Sequence, residues 1–275
     1  MNVRHCLLLI SLTLALFVSC ETVPITGRTQ VNLFSDAQMI GFADNEFAQF
    51  KAGLEQQNAI ATAGDSPSTA SFLAALNSVS PRIIEAAGMG GQRSWEVVLV
   101  KSDAMNANVR PNGKIVVFTG IGGVMKNESG IAAVLGHEVG HVVARHQAER
   151  LSEQLLTQMG LDLANVALAF SDPRYRPAIA AALGFGAQYG IILPFSRAHE
   201  SEADHLGLLF MAKAGYDPAE AIYVWERMAQ MGGSGPWEFV STHPSPETRI
   251  AQMRQWMPEA QEYYRDRSKP FPVSR

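Results

Sequence analysis

The sequence predicts an α+β fold, predominantly helical, with a small β-sheet. Three observations lead there: several segments carry apolar residues at helical spacing, only two short runs are β-rich, and no internal repeat is present. The chain has 275 residues, enough for one substantial core or a core with a small appendage. Apolar residues make up 47% and charged residues 17%, the balance of a globular protein and not of a disordered one. A formal net charge of −4 provides no basic field, which argues against nucleic acid as a partner.

The N-terminal nineteen residues differ from the rest. Arg4 and His5 precede an uncharged, Leu-rich run from Cys6 to Val18, and Ser19 and Cys20 follow. A short basic start, an apolar stretch and a small residue before the cut describe a secretory signal. The run is shorter than the ~20 apolar residues that cross a bilayer as a helix. Cys6 and Cys20 are the only cysteines, so the mature chain would hold one thiol that needs a use. Leu16-Phe17-Val18-Ser19-Cys20 resembles the lipobox of bacterial lipoproteins, with Phe17 where Leu is usual. That resemblance implies acylation of Cys20, a stable lipid anchor and, with Glu21 next in line, sorting to an outer membrane from the periplasmic side.

The segment from Glu21 to Arg28 is turn-rich and reads as an extended tether. Ser35 can cap a helix whose apolar positions are Met39, Ile40, Ala43, Phe47 and Phe50. A polar stretch from Gln56 to Thr69 reads as a loop. Ala70 to Ala87 is helical again, with Pro81 expected to bend or interrupt it. Trp95 to Val100 and Lys114 to Thr119 are strands separated by Asn, Pro and Gly positions that suit turns. One long helix is expected from Ser129 to about Met159. The apolar, glycine-containing segment 178–193 is broken by Gln188 and reads as a buried hairpin or cover. Helices from about Arg197 to Ala214 and from Pro218 to Met231 follow, and a last one begins near Ser245. The domain reading is a signal at 1–19, a lipidated N-terminus, tether and helix at 20–69, a catalytic domain at 70–258 and a tail at 259–275.

The chemistry concentrates in His137-Glu138-Val139-Gly140-His141. Residues four apart on a helix share a face, so both imidazoles can reach one Zn²⁺ at about 2.0–2.1 Å. Glu138 leaves the helix at a different angle, where it can take a proton from a metal-activated water attacking a carbonyl. Ile131, Val134, Leu135, Val142 and Val143 would bury this helix, and Gly136 and Gly140 allow another segment or the substrate to approach closely. A catalytic zinc normally takes three protein ligands and keeps a place for water. The third lies in the segment from His199 to His205, where spacing alone does not choose among His199, Glu200, Glu202 and His205; Glu200 and Asp204 share a helical face. His146 and Arg145 are read as structural, and Arg249 as tying the last helix to the site through a carboxylate.

His137 to His141, Glu200-Ser201-Glu202-Ala203-Asp204 and Ser241-Thr242-His243-Pro244-Ser245 together resemble the gluzincin peptidases of the HtpX and CaaX prenyl protease type. The resemblance runs over roughly Ala70 to Pro258 and implies a zincin-like domain with Glu200 as third ligand and Asp204 behind a ligand. It implies that His243 either steadies the oxyanion or occupies the open position at the metal. With the lipobox and Pro24-Ile25-Thr26-Gly27-Arg28, the chain looks most like the LoiP/BepA branch of periplasmic lipoproteins. The implied function is a zinc endopeptidase acting on misfolded or misassembled cell-envelope proteins. A chaperone lipoprotein with a latched or structural zinc remains the alternative. For substrate contact, the strand with Val116 and Val117 is expected to be a sheet edge beside the metal helix, with Asn106 and Ala107 bordering the cleft.

Overall fold

The computed structural model describes residues 19–158, 195–231 and 246–272, together with residue 174. The apolar segment 178–193 and His243 lie outside the described residues.

The chain enters through a two-stranded antiparallel hairpin, β1 (Ser19–Thr22) and β2 (Thr29–Asn32), and not through an extended tether. Its turn is closed by main-chain bonds from Val23 N–H to Arg28 O (2.8 Å) and from Gly27 N–H to Val23 O (3.0 Å). Val23 is buried in the main core, which docks the hairpin on the body. Ile25 in this turn adopts φ 73°, a left-handed conformation unusual for a β-branched residue.

Helix α1 (Asp36–Gln56) starts at Ser35, whose hydroxyl accepts from Gln38 N–H while the Gln38 side chain bonds back to the Ser35 backbone. Helix α2 (Pro67–Ala86) is capped by Ser66 and runs unbroken through Pro81. The break expected there does not form. Pro81 and Asn77 are both exposed, so the Asn77 carbonyl that loses its helical donor can turn to water.

Three strands follow: β3 (Glu96–Val100), β4 (Ala107–Val109) and β5 (Lys114–Phe118). The spatial order is β3-β5-β4, with β5 parallel to β3 and antiparallel to β4. Val116 and Val117 therefore lie on the central strand, paired on both sides and fully buried, and cannot form the substrate edge expected of them. Of the two edge strands, β4 is the one beside α4, and its three residues carry too little pattern to be read as a strand from sequence. One face of the sheet packs Val98, Val100 and Val116 against Met39, Ala43 and Phe47 of α1. The other turns Leu99, Ile115 and Val117 into the main core.

After a short helix α3 (Gly122–Met125), α4 (Glu128–Val143) is capped by Asn127 and buried along nearly its whole length. The expected long helix stops at Ala144. Arg145 takes φ 56° and α5 (His146–Gln158) sets off in a new direction. Then come α6 (Arg197–Lys213), α7 (Ala219–Met231) and α8 (Pro246–Arg265). No described helix is long and apolar enough to cross a membrane.

Helix α4 is packed between β4 and α6, and glycine sets the closeness of the α4–α6 contact. A Cβ on Gly207 would stand 2.7 Å from His137 N, and one on Gly140 would stand 2.9 Å from Ala203 O. Gly136 meets Gly207 in the same way, at 2.9 Å from its carbonyl oxygen. Backbone cannot yield as a flexible side chain does, so Gly207→Ala is expected to lower stability by about 1–3 kcal/mol. Gly53→Ala, in α1 with open space around it, should instead be neutral or stabilising by up to about 1 kcal/mol. Urea unfolding of the two variants checks the contrast.

Candidate metal centre

Two imidazoles and one carboxylate converge between α4 and α6. His137 Nε2 and His141 Nε2 are 3.1 Å apart. Glu200 Oε2 lies 3.6 Å from the first and Glu200 Oε1 lies 3.5 Å from the second. Four ligands at 2.0–2.1 Å in a tetrahedron stand about 3.3–3.4 Å from one another. The three residues thus bring donor atoms to about the spacing that a zinc ion takes, each Glu200 oxygen facing one imidazole. All three residues are buried. Ser196 caps α6 through its hydroxyl, which accepts from His199 N–H, and this places Glu200 in the first helical turn, where a carboxylate is favoured.

The hydrogen bonds fix the tautomer of each ring. His137 Nδ1 lies 2.9 Å from Asp204 Oδ1. Asp204 is buried, and burial pushes its carboxyl up, but the charge and hydrogen bonds of Arg249 hold it below the usual range. It is therefore an acceptor. His137 donates Nδ1–H to it, and the lone pair on Nε2 is left facing the site. His146 donates Nε2–H to Glu202 (2.9 Å), which leaves its Nδ1 as acceptor for His141 Nδ1–H (2.8 Å). In this tautomer His141 Nε2 is likewise an acceptor. Two acceptor nitrogens 3.1 Å apart beside a carboxylate suit a cation held between them.

Arg249 binds Asp204 through Nε (2.6 Å) and Nη2 (2.5 Å), and its Nη1 lies 2.7 Å from Glu200 Oε2. Its guanidinium stacks on Trp225, 3.6 Å from the ring centroid. Helix α8 is thereby tied to the site as expected. Phe195 stacks on His141 at 3.9 Å between centroids and closes the opposite side with Arg150 above it.

Glu138 is buried beside the three donors. Burial pushes its carboxyl up to about 7; His137 opposes the rise, Glu200 adds to it, and a hydrogen bond from the Val109 backbone opposes it. Because Asn106 and Arg110 bond toward β5, the alternation of β4 turns the Ala107 and Val109 main chain the other way. Val109 N–H reaches Glu138, and Val109 O accepts from Gln147 at 3.2 Å. Ala107 remains as an outward-facing main-chain position next to them, and Asn106, also buried, precedes it.

The four polar residues that spacing did not rank take four different partners. Glu200 joins the histidines, His199 bonds Glu149 (2.9 Å), Glu202 bonds His146, and His205 bonds Glu259 (2.7 Å). Sequence reasoning missed the Arg28, Glu149 and His199 network altogether, since nothing in a single charged residue names a partner over a hundred positions away.

This is the donor set of a gluzincin-type zinc metallopeptidase. The profile described as Peptidase family M48 matches residues 73–257, and the chain belongs to that family of zinc-dependent metalloendopeptidases. It is 36% identical over 251 residues to the Mitochondrial metalloendopeptidase OMA1 of Schizosaccharomyces pombe, covering 89% of this chain and 68% of that protein. Identity to the Arabidopsis thaliana protein of the same name is 41% over 175 residues, 63% of this chain and 34% of that protein. It is 27% identical over 242 residues to the Beta-barrel assembly-enhancing protease of Escherichia coli, 86% of this chain and 47% of that protein. The chain thus spans two thirds of one relative and half or less of the other two.

These relatives correct the expected location. The proteins at 36% and 41% identity are named as mitochondrial, and the bacterial protease stands at 27%, so a lipid-anchored periplasmic protein of an outer membrane is not supported. Of Cys20 the structure shows the backbone alone, paired with Val31 in the hairpin.

Glu149 supplies a measurable signature of the network behind the donors. Burial pushes its carboxyl up, but hydrogen bonds from His199 and Arg28 win and hold it at about 2. A carboxylate lowered on folding stabilises above its unfolded pKa, near 4.5, and that contribution disappears as pH falls toward 2. Glu149→Gln should therefore be less stable than wild type at pH 6, with the gap closing as pH falls from about 4.5 to 2. Denaturant unfolding across that range, carried out on metal-free protein, checks it.

Proposed function

We propose that this chain is a zinc endopeptidase in which His137, His141 and Glu200 hold the metal and Glu138 is the proton carrier. The observation that carries the reading is the convergence of two imidazole nitrogens and the two oxygens of one carboxylate, 3.1–3.6 Å apart, with a second buried carboxylate beside them. When bound there, zinc supplies Lewis-acid polarisation of a peptide carbonyl and lowers the pKa of the attacking water. Asp204 and Arg249 keep the His137 ring in its ligating tautomer, and His146 does the same for His141. Glu138, held near neutral pKa by burial, takes the proton from the attacking water and returns it to the departing amine. Val109 N–H holds that carboxylate in place.

The substrate position we infer lies along β4. An extended peptide added antiparallel or parallel to this edge would meet the Ala107 main chain and bring a carbonyl toward Glu138. Main-chain pairing is indifferent to side chains, which suits a protease of unfolded or misassembled polypeptides. The Escherichia coli relative is named a Beta-barrel assembly-enhancing protease, which supports proteins in the course of assembly as the class acted on.

Glu138→Gln is expected to keep one zinc per chain and to lose about 10²–10⁴-fold in turnover of an unfolded substrate such as casein. His137→Ala should lose both the metal and the cleavage. Metal analysis and a peptide-release assay, with chelator treatment and zinc restoration of wild type, make the comparison. Cleavage by Glu138→Gln at the wild-type rate would overturn the assignment of roles.

A further inference from the structure

Behind the donors lies a second group of buried side chains that the proposed chemistry does not use. His146, Glu149 and His199 have ligand atoms close enough to hold a metal ion of their own. Arg28 already occupies the cationic position there. Its Nη1 and Nη2 each lie 2.7 Å from one oxygen of Glu149, and its Nε lies 2.7 Å from Glu202 Oε2. A guanidinium held by two carboxylates leaves a divalent ion neither the charge nor the room that it needs.

What the cluster does instead follows from its connectivity. Thr26 Oγ1 donates to Glu202 Oε1, and Arg28 Nε and His146 Nε2 both donate to Glu202 Oε2. The donors around this carboxylate come from two distant segments, Thr26 and Arg28 from the hairpin turn and His146 from the start of α5. Glu202 then makes His146 an Nε2–H donor and an Nδ1 acceptor, and His146 Nδ1 accepts the Nδ1–H of His141 at 2.8 Å. His146 is fully buried and stacks on His199 at 4.4 Å between centroids, which holds the ring plane, and its two hydrogen bonds choose which way round the ring sits.

We infer that the N-terminal hairpin is a working part of the metal centre: Thr26 and Arg28, through Glu202 and His146, set the ring orientation and tautomer of the ligand His141. The chain Arg28–Glu202–His146–His141 is a relay of positioning residues, and the inference rests on His141 being a zinc ligand as proposed above. Where Asp204 makes a carboxylate–histidine pair with His137 directly, the second histidine reaches its carboxylate through an intervening imidazole. The carboxylate in turn is fixed by residues more than 170 positions away in the chain. Losing an outer partner of a metal-bound histidine typically weakens metal binding 10–100-fold.

The test uses the full chain with Arg28→Met, Arg28→Lys, Glu202→Gln and His146→Phe. Zinc affinity is read by competition with a chromophoric chelator, and ligand geometry by the visible spectrum of the cobalt(II) form. Arg28→Met and Glu202→Gln are expected to bind zinc ~10–100-fold more weakly with an altered cobalt spectrum, and Arg28→Lys to recover part of the loss. His146→Phe should show the largest effect. Should that variant fail to fold by circular dichroism, the isosteric Glu202→Gln and the hairpin substitution Arg28→Met decide alone. Wild-type affinity and an unchanged cobalt spectrum in both would overturn the relay. Two zinc ions per wild-type chain, one of them lost in His199→Ala, would also overturn it by placing a metal where we place Arg28. Absence of zinc binding by wild type would be the separate failure of the metal assignment itself.

Discussion

The close crossing of α4 and α6 is the constraint on which the site depends. Helices packed through ordinary side chains stand 8–10 Å apart between axes. Here Gly136 and Gly140 of α4 face Gly207 and the Ala203 backbone of α6 at separations that leave no space for a Cβ. That approach lets the short Asp204 side chain reach His137 and puts Glu200 between two imidazoles that it could not otherwise touch together. The ligands are long or short as the crossing demands. A wider crossing would demand different residues, and no rotamer change on α6 would repair the gap.

Bringing carboxylates into such an interior raises an electrostatic problem that the fold solves locally. Glu138, Glu200 and Asp204 are buried within one cluster. Arg249 faces two of them and is itself spread over the Trp225 ring, while the charge of Arg150 acts on Glu200 and Glu138. The cost of burial remains at Glu138, whose carboxyl desolvation pushes up to about 7, with the charge of Glu200 adding to the rise and Arg249 opposing it. That is also where a proton carrier is most effective near neutral pH. The same desolvation that makes the cluster expensive tunes the group proposed to move the proton.

The sequence showed these parts unequally, for reasons that are physical. His137 and His141 were legible because four residues on a helix is a local rule. Glu200 was not separable from His199, Glu202 or His205 by spacing, because each lies within a turn of the others and their partners come from β2's hairpin, α5 and α8. Helices α1, α2, α6 and α7 emerged near their observed ends, since caps and apolar periodicity are local as well. The place of β5 was misread because pattern shows that a strand is buried and does not show what lies on either side of it. Pro81 was overread: the helix rule assumes that the released carbonyl has no partner, and Asn77 lies on the solvent face.

The break after α4 was the costliest misreading, because the arrangement behind the ligands begins there. At about 100° per residue, a continuous helix would carry His146 roughly 180° around from His137, away from the site. Arg145 instead adopts φ 56° and turns the chain back, so that His146 opens α5 directly against His141. A left-handed residue other than glycine costs about 1–2 kcal/mol. The Arg145 side chain offsets this by donating to Glu21 of β1 and to the Phe34 carbonyl at 2.5 Å. The contact that holds the kink also grips the N-terminal hairpin, and the hairpin in turn presents Thr26 and Arg28 to Glu202. Kink, hairpin and histidine ligand are therefore mechanically one unit: the kink returns His146 to His141, and the hairpin that it grips secures the carboxylate on which His146 depends.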